Sequence, residues 1–168
     1  MKMNKQEEQI WQLLESVKDP EIPVLSIVDL GIVRSITLSN STKIEEIELC
    51  VCVTPTYSAC PAVDMINAEI KMVLTDAGFK NIQIENILFP AWTTDWMSDS
   101  GKEKLKDYGI AAPIGKSCEQ VDIEDLNVVC PQCGSDQTKI ISAFGSTACK
   151  ALFQCSSCLE PFDYFKCH

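Results

Sequence analysis

The chain has 168 residues and a formal net charge of −10, with 46% hydrophobic and 23% charged residues. That balance suits a folded domain or two small ones and excludes extended disorder as its main character. Acidity of this size opposes phosphate backbones, so DNA and RNA are poor partners and a basic protein surface is a better one. No apolar run approaches the ~18 residues that a membrane helix needs. The start, Met1 to Glu8, has no apolar secretory core, and the expected location is the cytoplasm.

Residues 4–18 place Ile10, Leu13, Leu14 and Val17 on one helical face, and Pro20 stops that helix. Asp19-Pro-Glu-Ile-Pro23 reads as a rigid turn, and 26–31 as an irregular stretch broken at Gly31. Strands are expected over 32–39 and 45–53. In the second, Ile47, Leu49, Val51 and Val53 face one way while Glu48, Cys50 and Cys52 face the other. A helix begins at Cys60-Pro61, buries Met65, Ile66, Ile70, Val73, Leu74 and Ala77, and ends at Gly78. A strand over 81–89 and a charged helix over 98–108 complete an αββαβα order, an α+β domain with helices on one face of a sheet. The expected domain spans 1–110, an acidic linker 111–127, and a separate module 128–168.

Ten cysteines in a reducing compartment point to metal ligands, reactive thiols or small buried residues rather than disulfides. Cys130-Pro-Gln-Cys133 and Cys155-Ser-Ser-Cys158 are two C-x-x-C pairs set to supply four thiolates to a tetrahedral ion. Short β-like runs at 139–142, 151–154 and 162–166 complete a zinc-ribbon layout. A module of this size has too little core to fold alone, so the metal supplies much of its stability. Zinc is the expected ion and iron in a rubredoxin-like site the rival. Disulfides and a thioredoxin-like pair are the other readings, the latter opposed by the lack of a helix after Cys133. Gly134 follows the first pair; Leu159 stands in the corresponding place after the second.

Cys60 is placed at a helix N-cap, with Pro61 at the first helical position. The helix dipole and nearby N–H groups would favour its thiolate, against a small opposing effect of Asp64. That makes it either a soft-metal ligand or a capping residue. The only histidine is His168, so no general base is available for a papain-like nucleophile. Cys149 and Cys167 are surplus to a four-ligand site, either buried or joined with His168 in a second site; Cys50 and Cys52 could approach Cys60 at one sheet end. Asp19, Glu21 and Asp29 are weak acid–base candidates, since surface acids at turns are usually solvated. Trp92 and Trp96 are read as packing or partner-facing aromatics.

Asp19-Pro-Glu-Ile-Pro23, Ile27-Val-Asp-Leu-Gly-Ile-Val33, and the threonine-rich loop closing on Cys60-Pro61 resemble the small domain of Fe–S assembly factors. Trp92-Thr-Thr-Asp-Trp96, Leu105-Lys-Asp-Tyr-Gly-Ile110, Phe144-Gly-Ser-Thr-Ala-Cys149 and Glu160-Pro-Phe-Asp-Tyr-Phe-Lys-Cys167 extend the resemblance to the D-subunit family of phenylacetyl-CoA epoxidases. The resemblance implies a non-catalytic accessory subunit in aerobic phenylacetate breakdown. Its partners would be the oxygenase and reductase components, and it would assist Fe–S or di-iron assembly with Cys60 holding labile iron or a cluster. The absence of Glu-x-x-His ligand sets agrees with catalysis lying elsewhere. A rubredoxin-like electron carrier and a general Fe–S assembly factor are the alternatives.

Overall fold

A computed structural model describes residues 5–57, 60–114 and 123–166. Cys118, Cys167 and His168, and with them the idea of a second site built on the last two, lie outside the described residues, as do residues 115–122 of the expected linker. The chain divides into two compact units, residues 1–92 and 93–168. Among the described residues no helix is long and apolar enough to cross a membrane.

The first unit opens with α1 (Lys5–Ser16), which buries Ile10 and Leu14. The Asp19 turn is then closed from both sides. Asp19 N donates to Leu25 O at 3.0 Å, and Ile27 N to Val17 O at 3.0 Å. Inside this loop Asp19 Oδ1 accepts from Glu21 N and Ile22 N, each at 2.8 Å. Ser26 and Asp29 cap one another: Asp29 Oδ2 accepts from Ser26 N at 3.0 Å, and Ser26 Oγ from Asp29 N at 2.9 Å. Asp29 is therefore buried, not solvated as its position at a turn implied. These carboxylates fix backbone geometry.

Strands β1 (Val33–Leu38), β2 (Glu48–Val53) and β3 (Asn81–Asn86) form one sheet in that order. β1 pairs with β2 antiparallel, and β2 with β3 parallel, so α2 (Val63–Asp76) is the crossover helix that a parallel pair requires. The second strand starts later than expected because Ile44–Glu46 form a 3₁₀ turn, although Ile47 is still fully buried. Alternation along β2 follows the sequence: Leu49, Val51 and Val53 are buried, whereas Cys50 and Cys52 are half-buried on the opposite face. Ile66, Ile70 and Leu74 of α2 are buried, but Met65 is 62% exposed. One residue is a rotation of about 100° on a helix, enough to take Met65 off the stripe that Ile66 occupies. Leu88 lies beyond the end of β3 and is exposed. Trp92 is packing: it is buried, and its Nε1 donates to Leu30 O at 2.9 Å.

The second unit contains α3 (Asp99–Asp107), capped by Ser98 Oγ, which accepts from Gly101 N at 2.9 Å. Strands β4 (Thr138–Ser142), β5 (Lys150–Cys155) and β6 (Pro161–Phe165) form an antiparallel sheet. Its core combines Phe153, Phe162 and Tyr164 with Val128, Ala151 and the sulfur residues Cys130 and Cys155. Ala111, expected as the first residue of a linker, is part of that core. Its N–H donates to Asp163 O and its carbonyl accepts from Phe165 N. This pairing with β6 rests on backbone bonds, which hydropathy alone does not reveal.

Candidate metal centre

The four cysteines of the two C-x-x-C pairs converge, with sulfur atoms all within 4.8 Å of one another. Cys130 Sγ lies 3.8 Å from Cys158 Sγ, and Cys133 Sγ 3.6 Å from Cys155 Sγ. A tetrahedral ion with metal–sulfur bonds of about 2.3 Å sets its ligands about 3.8 Å apart, whereas a disulfide holds them near 2.05 Å. None of the eight described cysteines is in a disulfide. The spacing fits a metal.

Two similar turns build this geometry. Cys130 N donates to Ser135 O at 2.9 Å and Cys155 N to Glu160 O at 3.0 Å, the same five-residue closure each time. Gly134 has φ +73° in the first turn and Leu159 φ +66° in the second. Leucine thus adopts the left-handed conformation that its counterpart leaves to glycine. The turns are joined where Ser135 Oγ meets Ser157 Oγ at 2.8 Å. After Cys133 the chain proceeds to β4 rather than into a helix, unlike a thioredoxin-like pair.

The electrostatics favour a cation. Cys155 Sγ lies 3.5 Å from Cys158 N and 3.4 Å from Ser157 N. Those N–H groups, Cys158 first, lower its pKa to about 6 against a cost of burial. Cys158 goes the other way: the Glu160 N–H favours its thiolate, but burial and the neighbouring sulfurs of Cys133, Cys155 and Cys130 raise it to about 12. One thiolate forms readily and then opposes the next. A divalent ion removes that conflict by neutralising the set.

Cys60 lies elsewhere, on the loop between β2 and α2. The helix starts at Val63, not at Pro61, and Cys60 and Pro61 belong to a turn in which Val63 N donates to Cys60 O at 3.3 Å. The expected N-cap position is not adopted. The expected fall in pKa is reversed too: burial raises the Cys60 thiol, the Ala62 N–H lowers it, and the Glu21 and Asp19 carboxylates raise it further, with Thr56 a smaller opposing partner. Burial is the main cause of the reversal, and the turn that is distinctive in the sequence adds carboxylates that oppose the thiolate further.

Cys60 borders a cavity of about 20 Å³ whose polar lining includes Asp19, Thr56, Asn67 and Asn86, with Ile32 and Val53 behind. That volume holds about one water-sized occupant, far too little for a multi-metal cluster. Asn67 Oδ1 and, on the adjoining loop, Thr54 Oγ1 are buried without a hydrogen-bond partner. Cys50 and Cys52 do not join Cys60; they group with Glu85, a residue that no sequence pattern singles out. Parallel pairing of β2 with β3 creates that neighbourhood, and nothing in the local sequence announces it. Cys149 is buried, 3.0 Å from Thr147 Oγ1, and stands apart from both groups.

Comparison with known proteins agrees with both units. Residues 7–85 match the family described as iron-sulfur cluster assembly protein, and residues 115–166 the PaaD zinc beta ribbon domain. An Escherichia coli K12 protein, named as the putative D subunit of 1,2-phenylacetyl-CoA epoxidase, is 48% identical over 159 residues, covering 95% of this chain and 92% of that one. An Fe-S protein maturation auxiliary factor of Porphyromonas gingivalis is 32% identical over 100 residues, covering 59% of this chain and 90% of its own. A crystal structure of a domain of unknown function, DUF59, from Bacillus anthracis is 27% identical with a TM-score of 0.52, covering 58% of this chain and 89% of that chain. An Fe–S assembly-type α+β domain followed by a Cys₄ ribbon, matched almost end to end, makes this chain a member of the D-subunit family of phenylacetyl-CoA epoxidases.

Proposed function

We propose that the protein is a non-catalytic accessory subunit of a multicomponent phenylacetyl-CoA monooxygenase in aerobic phenylacetate catabolism, and that it assists assembly of an Fe–S or di-iron centre. The observation that carries this reading is the near-complete match to an epoxidase D subunit, together with the match of 59% of the chain to an Fe–S maturation factor. Cys130, Cys133, Cys155 and Cys158 would hold one zinc ion, which bound there acts as a redox-inert cross-link. The ribbon would dock on an oxygenase or reductase component. Cys60 is the residue proposed to hold iron or a cluster in transit. Its 20 Å³ cavity favours a single ion within, or a cluster gripped only at the rim.

In cells making the complete monooxygenase, Cys60→Ala is expected to lower the iron content of the purified oxygenase and its epoxidation rate together. The variant itself should keep one zinc. A fully metallated, active oxygenase would overturn the assignment of Cys60. The electron-carrier reading rests on the same four sulfurs, and metal analysis separates the two: one iron with thiolate-to-iron absorption supports it, and a colourless one-zinc protein rejects it.

A further inference from the structure

The sheet of the first unit buries one face and leaves the other open. On the open face, register places Cys50 between Thr37 and Gln83, and Cys52 between Ser35 and Glu85. None of these six residues is cationic. The two sulfurs and one Glu85 oxygen lie within 4.8 Å of one another. Cys52 Sγ is 3.9 Å from Glu85 Oε2, while Glu85 Oε1 accepts from Gln83 Nε2 at 2.8 Å. Gln83 thereby holds the carboxylate beside the thiols, as an outer partner orients a metal ligand.

A disulfide does not explain the pair. Residues i and i+2 of a strand stand about 6.6 Å apart, with parallel Cβ directions, while a disulfide needs Cβ atoms about 3.5–4.5 Å apart. A metal bridges the sulfurs without bringing them so close. Two thiolates and a carboxylate suit a borderline-to-soft divalent ion better than calcium or magnesium.

We propose that Cys50, Cys52 and Glu85 form a second, open metal site for a divalent transition-metal ion, with its fourth position left to water. As the metal–sulfur bonds form, each thiol passes its proton to solvent, and no oxidation state changes. None of these three ligands is buried, Glu85 being exposed and Cys50 and Cys52 half-buried, whereas Cys130 and Cys155 of the Cys₄ group belong to a buried core, so this site exchanges its ion more readily. The proposal is independent of the role given to Cys60, which is in neither ligand group.

The test uses the full chain loaded with one equivalent of zinc and titrated with Co²⁺. Cobalt binds such donor sets less tightly than zinc and so leaves the ribbon occupied. One equivalent should bind with thiolate-to-cobalt absorption. The Cys50→Ser/Cys52→Ser variant should lose the band, Glu85→Gln should weaken binding by about tenfold or more, and Cys60→Ser should leave it unchanged. A wild-type chain without the band, a band surviving in the double variant, or one abolished by Cys60→Ser would overturn the proposal. If the double variant loses its zinc or melts early, alkylation mapping of the wild-type chain decides. Cobalt must protect Cys50 and Cys52 together, and unchanged labelling of either refutes the site.

Discussion

Leu159 offers a quantitative check on the ribbon. Its φ of +66° places a Cβ in the region that costs an L-residue about 1–2 kcal/mol. The side chain is 69% exposed, so about a third of its ~1.5–3 kcal/mol burial value is realised, roughly 0.5–1 kcal/mol. Leu159→Ala removes this contact and keeps the strain, so it should destabilise by about 0.5–1 kcal/mol. Leu159→Gly removes both, while extra freedom of the unfolded chain returns about 0.4–1 kcal/mol. Glycine should therefore exceed alanine by about 0.5–1 kcal/mol and come out close to the parent protein. The Gln154 Nε2 bond to Leu159 O involves only the backbone at 159 and is common to all three proteins. Thermal unfolding of the full chain at fixed zinc, followed by zinc release, should separate the two variants by roughly 2–6 °C. An alanine variant as stable as the glycine variant would refute the assigned turn geometry.

Removal of metal should act locally. A strong chelator should open residues 128–166 to protease and leave 5–92 protected, because apparent zinc binding of about 10–16 kcal/mol is folding free energy for such a module; equal protection with and without chelator would contradict this. Trp92→Phe should cost about 1–3 kcal/mol by denaturant unfolding, since it strips Leu30 O of a buried donor. Alkylation of Cys60 tests the sign of its shift. With the pKa raised, less thiolate exists at pH 7 than in a free cysteine, so labelling should be slower and rise only well above neutrality. Glu21→Gln removes a carboxylate that opposes the thiolate and should speed labelling; an unchanged or slower rate would remove Glu21 from the account. Ser98→Ala should destabilise α3 by about 1 kcal/mol, measurable as faster amide exchange over 99–107.

Features fixed by covalent spacing and periodicity were legible in the chain itself: the two C-x-x-C pairs, the alternation along β2, the buried stripe of α2 and the α+β order. Each follows from a constant repeat or turn, which holds wherever the segment ends up. What depends on distant neighbours was not. Cys60 has a raised pKa because the folded unit buries it and, to a smaller extent, because the Glu21 and Asp19 carboxylates oppose its thiolate, and Glu85 joins Cys50 and Cys52 only through the parallel register of β3 with β2. Ala111 enters the ribbon core through bonds to β6, some fifty residues on. The amino-acid order alone determined which sulfurs could act together within a turn. Tertiary structure decided which charges and carboxylates surround the remaining sulfurs, because electrostatic and ligand contacts depend on distance in space and not on separation along the chain.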